Sequence, residues 1–268
     1  MTGTRRLEAV FARCAAEGRS ALLTYVMAGD PDPAESELLA AACIDGGADI
    51  VELGIPFSDP LADGPVIQAA GERALASGTR LADVLRVAGS LRERTATPLV
   101  LMGYLNPILA MGEEAFFAAC QDRGVDAVII PDLLPESAGV ATAAAGRSGT
   151  GLVFMVATAT SPARRRRAAE VATAFVYLTA VDGVTGVRAQ LPEHLAADVA
   201  VLKADSRVPV VVGFGISRPS HVAALNGVAD GVVVGSAIVA AIGRESGTSR
   251  RVRAVRTLVA ALRGAMAT

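Results

Sequence analysis

The sequence predicts an α/β protein: a (β/α)8 (TIM) barrel of eight parallel strands that alternate with helices, with an extra helix at the N-terminus. Short, nearly continuous apolar runs recur along the 268 residues, and helical patterns separate them. No Pro- or Ser-rich linker interrupts the chain, so we expect a single domain over residues 1–268. A doubly wound open sheet is the competing fold, but no Gly-x-Gly-x-x-Gly motif follows the first strand.

The predicted strands are the apolar runs of four to eight residues, which are typical of strands covered on both faces. They span 21–28, 48–51, 98–102, 127–130, 152–156, 175–178, 208–212 and 231–234. A helix over 5–16 precedes the first strand. One three-residue pattern, Gly47-Ala48-Asp49, returns as Gly124-Val125-Asp126 and Val228-Ala229-Asp230 ahead of later strands. This repetition indicates that one kind of helix-to-strand turn is used several times.

Helical patterns fill the intervals between the strands. Asp32, Pro33 and Glu35 predict a helix start with an N-cap, a proline at the first position and a glutamate that reaches back to the cap. Ser217 is expected to cap the helix that contains His221, and Ser236 to begin a short helix. The remaining predicted helices cover 81–92, 113–120, 136–145, the segment after Ser161-Pro162, 192–204 and a last helix around Leu258.

Composition excludes several classes of function. The net charge of −2 indicates neither a nucleic-acid nor a membrane partner, and the N-terminus lacks the apolar core of a signal peptide. We therefore expect a soluble, cytoplasmic protein. The three cysteines are far apart and favour small core residues over a disulfide or zinc site, and the two histidines lie in predicted helices. A metal site is therefore not expected.

The segment from Glu52 to Pro65 carries the clearest chemical signal. Glu52 ends an apolar strand, where a carboxylate is costly unless it is paired or used. The prolines and glycines that follow predict a stiff loop, which carries Asp59 and Asp63. Carboxylates on a rigid loop at a strand end suit general acid–base catalysis, although each aspartate alone is also a common turn residue.

Three later loops carry glycine where backbone N–H groups could face an anion. They are Asp182-Gly183-Val184-Thr185-Gly186, Gly213-Phe214-Gly215-Ile216-Ser217 and Gly235-Ser236-Ala237-Ile238. In many barrels a phosphate binds after strands seven and eight, at the N-terminus of a short helix. Because strand-end loops share one face of a barrel, these glycines are predicted to lie opposite the acids.

Together these segments resemble the tryptophan synthase α subunit family over nearly the whole chain. The resemblance implies a barrel that cleaves indole-3-glycerol phosphate to indole and glyceraldehyde 3-phosphate, with no metal and no organic cofactor. It implies that Glu52 and Asp63 are catalytic. The positions that match the family's substrate site are Tyr25, Leu101, Tyr177, Thr185, Gly186, Gly215, Gly235 and Ser236. Those that match its contacts with a β subunit are Asp59, Pro131 and Asp132.

One departure from the family concerns the loop that communicates with the β subunit. Ala180-Val181-Asp182 stand ahead of Gly183, where many bacterial members have Ser, Thr or Arg. Three hypotheses follow: an α subunit activated by a β partner, a stand-alone lyase that releases free indole, or a weakly active regulatory partner of a β subunit. The presence of both Glu52 and Asp63 counts against the third hypothesis.

Overall fold

The computed structural model describes residues 3–179, 192, 194–213 and 215–266. Within them, eight parallel strands pair in chain order, and the last pairs with the first to close the barrel. The strands are β1 Ala21–Met27, β2 Ile50–Gly54, β3 Leu99–Met102, β4 Ala127–Ile129, β5 Gly151–Ala157, β6 Val176–Thr179, β7 Val210–Gly213 and β8 Gly231–Val234. The predicted fold class is confirmed.

Helices surround the strands, and a 3-10 turn, Pro135–Ser137, precedes the seventh helix. The helices are α1 Gly3–Ala16, α2 Pro33–Asp45, α3 Pro65–Ala76, α4 Leu81–Arg94, α5 Leu105–Met111, α6 Glu113–Asp122, α7 Gly139–Ser148, α8 Pro162–Val171, α9 Leu195–Asp205, α10 Pro219–Leu225, α11 Ser236–Arg244 and α12 Thr248–Gly264. None of the described helices is both long and apolar enough to cross a bilayer.

Side chains alternate along each strand between the barrel interior and the surrounding helices, as the two-residue period of a strand requires. In β2, for example, Ile50 packs in the interior cluster, whereas Val51 and Leu53 pack in the outer cluster under the helices. Helix α1 adds Leu7 and Phe11 to the interior cluster. The extra N-terminal helix therefore covers the end of the barrel where the strands begin.

The repeated Asp turn has a common structural role at this end of the barrel. The carboxylates of Asp49, Asp126 and Asp230 accept hydrogen bonds from the backbone N–H groups of Leu22 (2.9 Å), Leu99 (2.8 Å) and Val210 (2.8 Å). Each aspartate comes directly before an even-numbered strand, and its donor lies at the start of the preceding odd-numbered strand. Each carboxylate thus joins two neighbouring strands where both begin.

The fourth strand pair uses a hydroxyl for the same purpose. The backbone N–H of Leu152, near the start of β5, donates to the Oγ1 of Thr173 at 2.8 Å, and Thr173 lies just before β6. A side-chain oxygen therefore joins the two strands of each of four pairs: β1–β2, β3–β4, β5–β6 and β7–β8. The sequence repeat revealed only the three members that share an aspartate.

Several local predictions were wrong. Helices α3 and α5 occupy segments for which no helix was predicted; Pro65 is the first residue of α3, and Pro107 fits the first turn of α5, where no N–H is needed. Asp32 does cap α2 by accepting the N–H of Glu35 at 2.8 Å. The Glu35 side chain instead pairs with Arg251 on α12 at 2.9 Å, because burial against that helix supplies a stronger partner than the cap backbone.

The cap predicted for the helix of His221 was also wrong. Helix α10 begins at Pro219 with Arg218 at the N-cap position. The backbone N–H of Ser217 instead donates to His221 Nδ1 at 3.4 Å. Pro219 explains the shift, since proline fixes the first helical residue and places the cap immediately before it.

Candidate active site

Glu52 lies in the middle of β2, paired in register with Tyr25 of β1, and points into the barrel. It is 1% exposed, and neither carboxylate oxygen has a hydrogen-bond partner among the residues that the structure describes. Burial without a partner disfavours the charged form, and it raises the pKa of Glu52 to about 8. At neutral pH this side chain is therefore a carboxylic acid with a proton to give.

Asp63 reaches the same cavity from the loop between β2 and α3. Its backbone N–H donates to the Pro60 carbonyl at 3.0 Å, and its own carbonyl accepts from Gln68 Nε2 at 2.8 Å. Burial raises the pKa of Asp63 to about 6, and a hydrogen bond from the Tyr104 hydroxyl opposes that rise. The two acids thus differ in pKa, which allows one to be protonated while the other is ionised.

Two tyrosines stand beside the acids inside the barrel. Burial and the nearby carboxylates of Glu52 and Asp63 raise the pKa of Tyr25 and of Tyr177 well above the ordinary value. Glycines make room for both hydroxyls: a Cβ on Gly54 would lie 2.0 Å from the Tyr25 Oη, and one on Gly213 would lie 1.9 Å from the Tyr177 Oη. Both glycines are therefore required by close packing.

The acids and tyrosines line a cavity of about 420 Å³, including space open to solvent, at the end of the barrel where the strands finish. Gly215, Gly235 and Ser236 line the same cavity. Ser236 is the first residue of α11, so the first N–H groups of that helix lack partners within the helix. Such a helix start offers donors and a favourable dipole to an anion.

The structure brings seven of the predicted substrate-site and catalytic residues to this one cavity. They are Tyr25, Glu52, Asp63, Tyr177, Gly215, Gly235 and Ser236. Two others, Thr185 and Gly186, lie outside the described residues, as does Asp182. Among the described residues, no group of three or more His, Cys, Asp or Glu side chains is arranged to hold a metal ion.

The placement of Leu101 in the substrate site was wrong. Leu101 packs in the outer cluster under the helices, and its neighbour Met102 lines the cavity. The reason is strand alternation: Glu52 pairs in register with Val100, so Val100 and Met102 share the inward face. Every residue of this strand is apolar, so the sequence pattern carried no signal for its orientation.

Three further cavity residues were absent from the predicted site. Ile67 belongs to the first turn of α3, a helix that the sequence did not predict, Ile216 lies between β7 and α10, and Val233 lies in β8. With Met102 they form the apolar part of the cavity lining. An apolar pocket with a few convergent polar groups is the usual form of a small-molecule site.

The residues predicted to meet a partner lie outside the cavity, on a second depression that we call the rim groove. The rim groove is formed by Phe57, Asp59, Leu61, Leu109, Pro131 and Asp132. The Leu61 side chain is 87% exposed, and Leu109 is 52% exposed. Exposed leucines and aspartates therefore lie together on this rim.

A barrel with two buried acids and a helix start around one partly apolar cavity defines a class: enzymes that perform acid–base chemistry on small phosphorylated substrates. Comparison with known proteins identifies the family. Residues 11–267 match the family model described as tryptophan synthase alpha chain. The tryptophan synthase alpha chain of Geobacter sulfurreducens is 46% identical over 97% of this chain and 98% of its own length.

Other relatives agree. The tryptophan synthase alpha chain of Geotalea daltonii is 43% identical over 98% of this chain and 99% of its own. A solved Mycobacterium tuberculosis tryptophan synthase chain superimposes with a TM-score of 0.90 at 35% identity, covering 98% of both chains. The α subunit from Legionella pneumophila gives 0.88 at 34%, covering 97% of this chain and 98% of its own.

The chain therefore belongs to the tryptophan synthase alpha chain family. It is a carbon–carbon lyase of the type that cleaves indole-3-glycerol phosphate to indole and glyceraldehyde 3-phosphate.

Proposed function

We propose that Glu52 is the general acid and base of this lyase and that Asp63 is its electrostatic partner. The observation that carries this proposal is the bare, buried carboxyl of Glu52, whose raised pKa of about 8 keeps it protonated at neutral pH. An acid that is protonated near the working pH, and that becomes a base once it has given its proton, suits a reaction with two proton transfers.

The reaction is a retro-aldol cleavage. Glu52 delivers its proton to the indole ring carbon that carries the glycerol phosphate side chain. The ionised Glu52 then removes the proton from the side-chain hydroxyl, the carbon–carbon bond breaks, and the hydroxyl carbon becomes the aldehyde of glyceraldehyde 3-phosphate. Ionised Asp63 accepts a hydrogen bond from the indole N–H and stabilises the positive charge that develops on the ring.

We assign the remaining substrate contacts to the two sides of the cavity. Gly215, Gly235 and Ser236 hold the phosphate, because they lie at the start of α11 or beside it. Tyr25 and Tyr177 flank the indole. Leu101 does not contact it, because its side chain faces the outer helices. Thr185 and Gly186, which match the family's substrate site, lie outside the described residues.

We also propose that a tryptophan synthase β subunit docks on the rim groove, where Asp59, Pro131 and Asp132 combine charged and apolar contacts. The exposure of Leu61 supports this, since an isolated chain would leave that side chain in water. The family normally works as such a pair. A cytoplasmic location and a single domain over the whole chain stay predictions from the sequence.

The first experiment replaces the proposed acid. Glu52→Gln keeps the size of the side chain but removes its proton transfer, so indole-3-glycerol phosphate turnover should fall by roughly 10²–10⁴-fold. Wild-type kcat/KM should rise through about pH 6 as Asp63 ionises and fall above about pH 8 as Glu52 loses its proton. Indole release is the measurement.

The control is Glu93→Gln, which changes an exposed glutamate on α4 and should keep wild-type turnover. Near-normal turnover of Glu52→Gln would refute the assignment. Repeating the wild-type assay with a purified β subunit separates the modes of action: strong activation indicates an α subunit, and high unassisted turnover indicates a stand-alone lyase. Activation of the β subunit by wild-type protein that cannot cleave substrate would indicate a regulatory partner.

A further inference from the structure

Tyr104 lies between the two depressions on the rim, just after β3 and before α5. Its side chain is 5% exposed, and its ring stacks on Phe57 with centroids 5.3 Å apart and an interplanar angle of 29°. The ring therefore closes one side of the rim groove, while its hydroxyl faces the loop that carries Asp63. This side chain touches both the groove and an acid of the cavity.

The hydroxyl of Tyr104 makes two hydrogen bonds to consecutive residues of that loop. It accepts the backbone N–H of Ala62 at 3.0 Å and donates to the carboxylate of Asp63. One bond fixes the backbone immediately before the acid, and the other fixes the carboxylate itself. A tyrosine hydroxyl can donate one hydrogen bond and accept another at the same time. Both bonds persist only while the Tyr104 ring keeps its position.

The backbone next to Tyr104 is held by the next loop of the barrel. The backbone N–H of Leu105, the residue after Tyr104, donates to Asp132 Oδ1 at 2.9 Å. Hydrogen bonds therefore run from the loop after β4, through the start of α5, to the loop after β2. Three consecutive strand-end loops are joined, and Tyr104 is the central member.

The charges around Asp63 show why this hydroxyl matters. Four titratable groups face Asp63 from neighbouring elements: Tyr25, Tyr104, Tyr177 and Glu52. None of these four groups carries a positive charge. Burial favours the neutral form of Asp63, and the bond from Tyr104 favours the ionised form. Among the described residues, the Tyr104 hydroxyl is the group that favours the charged form of Asp63.

We propose that Tyr104 is a positioning residue whose hydroxyl holds the carboxylate of Asp63 in the place and charge state that the lyase reaction uses. This inference rests on the proposed role of Asp63, but the contact itself can be tested without turnover. Tyr104 does not act on the substrate; it acts through Asp63. Its ring supports the groove, so the hydroxyl can be removed while the stacked ring on Phe57 is kept.

The test is Tyr104→Phe in the full-length protein. The acidic limb of the kcat/KM profile should move to higher pH by about one unit, because the neutral form of Asp63 is then favoured. The same shift should appear in a titration of the Asp63 carboxyl carbon, followed by NMR with 13C-labelled aspartate and assigned with Asp63→Asn. The second measurement needs neither substrate nor a β subunit.

The matched control is Ser90→Ala, which removes another hydroxyl-to-carboxylate bond, the 2.7 Å contact with Glu37 among the outer helices. It should keep the wild-type profile and the wild-type Asp63 titration. An Asp63 titration that is unchanged in Tyr104→Phe would overturn the inference, whatever the activity. A wild-type protein that fails to cleave the substrate, with the Asp63 titration still shifted in the variant, would instead refute the proposed function and leave the contact established.

Discussion

Asp49 lies directly before β2 and Glu52 lies in the middle of that strand, three residues later, and both are buried. Asp49 accepts bonds from Arg19 at 2.6 and 2.9 Å, from Arg13 at 2.7 Å and from the N–H of Leu22. Glu52 has no hydrogen-bond partner among the described residues. The same functional group is neutralised at one end of the barrel and left bare at the other.

The two environments change the pKa in opposite directions. Burial alone would raise the pKa of Asp49, but the hydrogen bonds from Arg19 and Leu22 and the charge of Arg19 lower it. Burial raises the pKa of Glu52 to about 8. A paired carboxylate stabilises the fold at neutral pH, whereas a bare one opposes folding once it ionises. The end where strands begin therefore contributes stability, and the end where they finish contributes chemistry.

The largest effect on stability is expected at the paired end. Asp126 joins Arg6 at 2.6 Å, Arg92 at 2.8 Å and the backbone N–H of Leu99, and its side chain is fully buried. Asp126→Ala leaves these donors without their acceptor, so it should lower the free energy of unfolding by about 3–5 kcal/mol. Urea unfolding followed by circular dichroism is the measurement.

The control for this prediction is Glu114→Ala, which removes an ion pair with Arg147 whose two side chains are at least 60% exposed. That change should cost below about 1 kcal/mol. If both variants lost equal stability, burial and pairing would not distinguish the carboxylates, and the comparison would fail.

The bare end should show the opposite response. In the unfolded chain Glu52 loses its proton near its ordinary pKa of 4.5, while in the folded protein it keeps the proton up to about pH 8. Raising the pH through this range therefore destabilises the wild type, by at most roughly 4 kcal/mol at pH 8. Glu52→Gln lacks this penalty, so its stability relative to wild type should increase from pH 5 to pH 8.

Thermal unfolding of both proteins across this pH range measures the difference. A constant gap between wild type and Glu52→Gln would mean that Glu52 has an ordinary pKa in the folded protein. Turnover is the second measurement. Glu52→Gln should gain stability relative to wild type at pH 8, and the same variant should lose catalysis.

The smallest effect is expected at Thr173, the uncharged member of the strand-joining set. Thr173→Val keeps the shape of the side chain but removes the acceptor of the Leu152 N–H, so it should cost about 1 kcal/mol. Hydrogen exchange of the Leu152 amide should accelerate more than that of Leu99, whose acceptor Asp126 is unchanged. Equal acceleration at both amides would mean that the strand pairs do not behave as separate units.

Much of this fold could be predicted from the sequence because the evidence is local. Apolar runs predict strands, and proline with aspartate predicts the start of α2, since capping needs only residues within one turn. The acids of the segment from Glu52 to Pro65 were identifiable because a carboxylate at the end of an apolar run is costly. The repeated turn that ends in Asp49 was visible because its three residues are consecutive in the chain.

The remaining features depended on the third dimension. Nothing local distinguishes Leu101 from Met102, because the inward face of an all-apolar strand is set by its register with β2. Thr173 could not be grouped with the three aspartates until the barrel had closed, since its partner is chosen by strand order. The amino-acid sequence by itself determined which segments form strands and which residues carry acid. Closure of the barrel alone decided which acids meet arginines and which stay bare, because those partners are distant in the chain and meet only through packing.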